Sequence, residues 1–127
     1  MASKIDIRSF ARYAAIAAVI NAVIFLIAKS ADATMIVNQG GAQEILVPMV
    51  IGSTLFGLIA AAIAASLIGK KFKSFLANAP LIGLVFGLVT AAAPFSASDD
   101  SKTSIALASM HVVAGVLWYF GAKRSTK

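Results

Sequence analysis

The sequence predicts an all-α membrane protein: an antiparallel bundle of four transmembrane helices, both termini on the cytoplasmic side. Three observations carry this. Of the 127 residues, 60% are hydrophobic and 13% charged, against roughly 25% charged in a soluble domain. The apolar residues fall into four stretches, each near the roughly 20 residues that a bilayer crossing needs. The charges around these stretches alternate in sign from one gap to the next. Lys4, Arg8, Arg12, Lys70, Lys71, Lys73, Lys123, Arg124 and Lys127 fall on one side with Asp6 alone opposing them, while Lys29 and Lys102 face Asp32, Glu44, Asp99 and Asp100 on the other. An excess of Lys and Arg marks the cytoplasmic side of a membrane protein.

The first span is placed at residues 10–28. Its Ala14, Ala17, Ala18 and Asn21 recur at three- and four-residue spacing, so they share one narrow face that suits helix contact. Ile16, Val19, Ile20, Val23 and Phe25 are bulkier and suit lipid or the edge of a contact. The following gap, residues 29–47, is long. Two short extended runs flank Asn38-Gln39-Gly40-Gly41, a pattern compatible with a small external β-hairpin, and its apolar residues suit a flap on the bundle.

The second span is placed at residues 48–69, with Pro48 in its first turn, where the missing N–H costs little. It is crowded with Gly52, Gly57, Ala60, Ala61, Ala64 and Ala65, which predicts the most enclosed helix of the bundle. The third, residues 78–95, opens around Pro80, carries the small-xxx-small pair Gly83 and Gly87, and ends or kinks at Pro94. The fourth, residues 102–121, follows the cap-rich Ser98-Asp99-Asp100-Ser101 and places Trp118 and Tyr119 at the cytoplasmic interface. No repeat relates the two halves, and the whole chain is read as one domain.

The net charge of +6 lies entirely on the cytoplasmic side. Topology and anionic lipid headgroups account for it without a nucleic-acid partner. The absence of cysteine excludes disulfides, thiolate metal sites and cysteine nucleophiles. The first helix is followed by Lys29-Ser30-Ala31-Asp32, not a clean cleavage site, so it is expected to stay as a signal anchor.

His111, the only histidine, lies near the middle of the fourth span, and Asn21 near the middle of the first. At ~1.5 Å per residue they reach similar depths. A titratable group in a membrane is a functional candidate by default. An imidazole can relay protons, ligate a metal or haem, or bond a quinone carbonyl. The plainer account has a neutral His111 bonded to Asn21, Thr90 or a backbone carbonyl. Ser53, Thr54 and Thr90 could extend a polar track, though such hydroxyls commonly satisfy the carbonyl four residues back. Ala14, Ala18, Gly52, Gly57, Gly83, Gly87 and Gly115 are the expected helix-packing positions. All acidic residues lie in loops or tails, so no Ser/His/Asp set forms, and no phosphate-cradling glycine motif precedes a lysine. Asp99-Asp100 is explained best by helix capping.

Four short motifs together resemble an uncharacterised family of small four-pass membrane proteins found mainly in actinobacteria: Val47-Pro48; Gly52-Ser-Thr-Leu-Phe-Gly57; Ala93-Pro94; and Ala106-Leu-Ala-Ser-Met-His111-Val-Val-Ala-Gly115. The resemblance covers nearly the whole chain and implies a fold but no activity. Small multidrug transporters differ in carrying a glutamate in their first helix, where this chain offers Asn21. Fluoride channels differ in their glycine-rich opening and in a break at mid-membrane.

The expectation from sequence is therefore a non-enzymatic protein of the bacterial cytoplasmic membrane, acting as a structural, accessory or interaction subunit. One alternative is a small-solute or ion permease with a path past Asn21 and His111. The other is a quinone- or haem-binding protein using His111; no cofactor is otherwise predicted. Membrane lipids are the expected partners, with a second copy of the chain or a membrane-complex subunit permitted by Gly83 and Gly87.

Overall fold

A computed structural model describes residues 4–127. Four helices in it are long and apolar enough to cross a membrane. The elements run α1 (Ile7–Ser30), β1 (Ile36–Asn38), β2 (Ala42–Glu44), α2 (Val47–Lys71), α3 (Lys73–Thr90), the short α4 (Pro94–Ala97) and α5 (Ser101–Ser125). The chain is an all-α bundle with one small antiparallel hairpin, in which Ile36 pairs with Glu44 and Asn38 with Ala42.

Asp6 caps α1 by accepting from the Arg8 N–H, and Asp100 caps α5 by accepting from the Thr103 N–H. Each satisfies an orphan donor of the first turn. The last turns of α1, α2 and α5 carry Lys29, Lys70 with Lys71, and Lys123 with Arg124, the sign that suits the negative end of a helix dipole. The two ends of the chain meet. Ile5 bridges Thr126, the Asp6 amide donates to the Ser125 carbonyl at 2.7 Å, and Lys127 Nζ donates to Asp6 Oδ2 at 2.7 Å. The Lys127 ammonium, with the Ser9 hydroxyl, holds the Asp6 carboxyl down to about pKa 2.

Helices α1 and α5 form the centre. A third of the most apolar stretch of each is buried, against 17% of α2. This corrects the expectation that α2 is the most enclosed helix: its small residues do not draw neighbours in on every side. On α1 the buried face is Ala14, Ala17, Ala18 and Asn21, as the spacing predicts. Phe25 joins them and is not lipid-facing, because it packs in an outer cluster with Met35, Val50, Ala106 and Met110 under the hairpin. An inner cluster at the terminus end gathers Phe10, Leu58, Leu76, Ala79, Trp118 and Ala122. Exposed Ile16, Val19, Phe56, Ile63, Phe86 and Val89 spread over the outside, as lipid-facing residues do.

Two further differences from the sequence reading have clear causes. The connection between α2 and α3 is Phe72 alone, so α3 starts at Lys73 and Pro80 lies inside the helix. Gly69 makes that tight turn fit, since a Cβ there would sit 3.0 Å from the Leu76 Cβ. Trp118 is buried and not at the interface: its ring stands edge-on to Phe10 at 5.4 Å, and its Nε1 donates to the Ala79 carbonyl at 2.8 Å. The third span does break near Pro94, as the sequence indicates: α3 stops at Thr90, and Pro94 opens the short turn α4.

The hairpin is docked. Gly40 and Gly41 take φ of +75° and +141°, which glycine adopts freely. Met35, fully buried, also takes a positive φ of 54°, an uncommon conformation for a long side chain. It is held from both sides, its amide donating to Thr103 Oγ1 at 2.8 Å and its carbonyl accepting from the Ile45 amide at 2.8 Å.

Candidate functional site

The α3–α5 seam is the closest helix contact. A Cβ on Gly87 would lie 2.8 Å from the Gly115 Cα, and one on Gly83 would run into the Trp118 indole. Gly83, Gly87 and Gly115 are thus packing positions in fact. Gly52 and Gly57 are not: a Cβ on either meets nothing within 4 Å. This corrects their expected role.

Gly57 faces empty space because α2 and α3 part company beyond their tight turn. Between them runs a cleft of about 870 Å³, within the 300–1,000 Å³ typical of ligand pockets. One wall is α2, with Gly57, Ala61, Ala64 and Ile68; the other is α3, with Phe75, Ile82, Gly83, Phe86 and Thr90. The floor is Asn21 of α1 together with Leu107, Met110, His111, Ala114 and Trp118 of α5. Hairpin residues Val37, Gln39, Gln43 and Ile45 overhang the outer end. All five polar residues singled out from the sequence, Asn21, Ser53, Thr54, Thr90 and His111, line this one cleft.

They are paired in two couples. Asn21 Nδ2 donates to Thr54 Oγ1 at 3.1 Å, joining α1 to α2. Thr90 Oγ1 and His111 Nδ1 lie 3.4 Å apart, joining α3 to α5. Asn21 and His111 are not bonded to each other. The hydroxyls also serve their own helices: Thr54 donates to the Val50 carbonyl at 2.7 Å, Thr90 to the Phe86 carbonyl at 2.8 Å, and Ser53 to the Val50 carbonyl at 3.3 Å.

Those commitments settle the donors. The Thr54 proton goes to Val50, so the group facing Thr54 must be the Asn21 NH₂. Asn21 is 2% exposed, and its Oδ1 has no hydrogen-bond partner. A buried acceptor left unpaired costs about 1–3 kcal/mol, so this is a costly feature of the floor.

At the outer end, Asp100 acts as an organiser. Its Oδ2 accepts from the Thr103 hydroxyl at 2.7 Å and from the Thr34 amide at 2.9 Å. These bonds, that of Thr103 foremost, pull its carboxyl down to about pKa 2. Ser98 Oγ donates to the Ile36 carbonyl at 2.8 Å, and Lys102 Nζ to the Ala31 carbonyl at 2.7 Å. Together they tie the hairpin to the start of α5. Among the described residues no group of three or more His, Asp or Glu side chains could hold a metal ion.

Sequence reasoning found the polar residues but missed the cleft, the Asn21–Thr54 couple and the hairpin overhang. One signal was present: α2 carries small residues on two faces, Ala62, Ala65 and Gly69 toward the bundle and Gly57, Ala61 and Ala64 away from it. That is more than one contact needs.

Residues 5–127 match the Family of unknown function (DUF6069). The chain belongs to that family. No curated protein and no solved structure matches it.

Proposed function

We propose that this member of the family is a non-catalytic, multi-pass protein of the bacterial cytoplasmic membrane that holds an apolar guest from the bilayer between α2 and α3. The cleft carries the reading. It is large, mostly apolar, flanked by α2 and α3 where they part beyond their tight turn, and floored by a buried amide with an unpaired acceptor. The one hydroxyl beside His111, that of Thr90, already gives its proton to the Phe86 carbonyl. The charge pattern favours cytoplasmic termini, which puts the hairpin on the outer side. The family resemblance argues for a source among actinobacteria.

A permease is less well supported. The inner cluster of Phe10, Leu58, Leu76 and Trp118 packs the terminus end of the bundle, where a solute path would need an exit. A second reading does have an observation behind it. The wall formed by Gly57, Ala61 and Ala64 suits the close approach of another transmembrane helix, as an accessory subunit would offer.

Native mass spectrometry of gently extracted protein separates these. The proposal expects a stoichiometric apolar adduct that is lost when Gly57→Phe fills the cleft, with the fold retained. A stoichiometric protein partner in its place would establish the accessory reading, and bare protein alone would contradict both.

A further inference from the structure

We infer that the hollow between the start of α1 and the end of α2 is a discrete site for one anionic phospholipid, its phosphate held by Lys4, Arg8 and Lys70. The inference goes beyond the cleft, because the two cavities share no lining residue.

A short strap builds the site. The Ile5 amide donates to Ser66 Oγ at 2.9 Å, which ties the segment before α1 to the last turns of α2. Beside that bond lies a cavity of about 360 Å³ whose lining includes Lys4, Arg8 and Lys70. Asp6 is its one carboxylate, and both oxygens of that group are taken. The Arg8 amide donates to Oδ1 at 3.3 Å, while the Ser9 hydroxyl at 2.9 Å and the Lys127 ammonium at 2.7 Å donate to Oδ2. Lys127 thus offsets Asp6. Among the described residues Lys4, Arg8 and Lys70 form no ion pair with any carboxylate.

Charge selects the head. Three cations around one hollow attract a phosphodiester, and basic pockets between membrane helices at this level suit lipid head groups. A head that carries its own ammonium would add a fourth cation to the three. The preference is therefore for a head of net negative charge.

The apolar faces leading to the hollow select a lipid over a free phosphate. Phe56, Ile63, Leu67 and Lys70 follow one another at helical spacing, so they share one face of α2. All four are exposed, and the face is apolar until it reaches Lys70. On α1, which packs along α2, exposed Ala15 and Val19 lead in the same way to Arg8. Acyl chains laid along these faces bring the phosphate to the level of the cations.

Native mass spectrometry of the protein in detergent tests this, with dioleoyl phosphatidylglycerol, the matching phosphatidylethanolamine and inorganic phosphate as probes. The first phosphatidylglycerol should bind about fivefold more tightly than the first phosphatidylethanolamine, and inorganic phosphate at the same concentration should not displace it. Lys4→Gln, Arg8→Gln and Lys70→Gln should each weaken it about fivefold. Lys71→Gln, Lys73→Gln and Lys123→Gln remove the same charge from the same end and should leave it unchanged. All six side chains are exposed, so the fold is retained. Gly57→Phe, which fills the cleft, should also leave this lipid in place, so loss of the cleft guest and loss of the phospholipid are separate results. Equal weakening by the two sets of variants would show diffuse attraction and overturn the site. Equal affinity for the two lipids would overturn the anionic head, and displacement by phosphate would overturn the lipid as occupant.

Discussion

The two glycine pairs of the molecule occupy opposite situations. On α3, Gly83 and Gly87 lie against Trp118 and Gly115 with no room for a methyl group; on α2, Gly52 and Gly57 have open space where a Cβ would be. By residue type the two helices are alike, and both resemble contact surfaces. The difference teaches that small residues in a membrane helix do two jobs. They let backbones touch, or they hollow out a wall. Which job applies depends on the neighbour opposite, and the face of α2 that carries Gly52 and Gly57 meets nothing there.

The largest effect should come from the closed seam. Gly87→Ala places a methyl group against the Gly115 backbone, which cannot rotate aside. Destabilisation of about 1–3 kcal/mol is expected, from overpacking of a close contact, measured by denaturant titration in mixed micelles. Trp118→Phe keeps most of the ring and removes the bond to the Ala79 carbonyl. It should cost about 0.6 kcal/mol and no more than about 1.7 kcal/mol, the average and the maximum for such bonds in membrane bundles, by the same titration.

The outer end of the cleft should respond to acid. Because the folded Asp100 carboxyl is depressed to about pKa 2 from 3.8, its contribution is complete above about pH 4. It is lost as pH falls through about 2. Protection of the Thr34 and Met35 amides from hydrogen exchange should fall across that window. In Asp100→Ala it should be low throughout and independent of pH. Full protection in that variant would separate the hairpin from the α5 cap.

The smallest effect belongs to the open wall. Gly57→Ala should leave stability unchanged or raise it by about 0.5–1 kcal/mol, since only the helix propensity of the residue changes. A loss comparable with that of Gly87→Ala would mean that α2 is packed after all, and the contrast would collapse.

Much of the fold was legible in the chain. Length and apolarity specify four helices; the spacing of Ala14, Ala17, Ala18 and Asn21 specifies the inner face of α1; and the Asn-Gln-Gly-Gly run specifies the hairpin turn. Trp118 was misplaced because an amphipathic aromatic suits an interface or a core with a carbonyl to bond, and only the position of Ala79 decides between them. Pro80 misled because it suits a first turn, while the start at Lys73 follows from Leu76 docking over Gly69. The candidate site was legible as residues but not as a place. Asn21, Thr54, Thr90 and His111 come from four helices, and no local pattern states that α2 and α3 stand apart behind them.

The openness of that gap is what the account depends on most. A nitroxide at Ala61→Cys, in a chain with no other cysteine, reports it by power saturation in a reconstituted bilayer, with Ile63→Cys as the lipid-facing reference. An open apolar cleft predicts high accessibility to oxygen, close to that at Ile63, and low accessibility to a water-soluble nickel complex. An immobile label shielded from both reagents, or one reached by nickel, would contradict it.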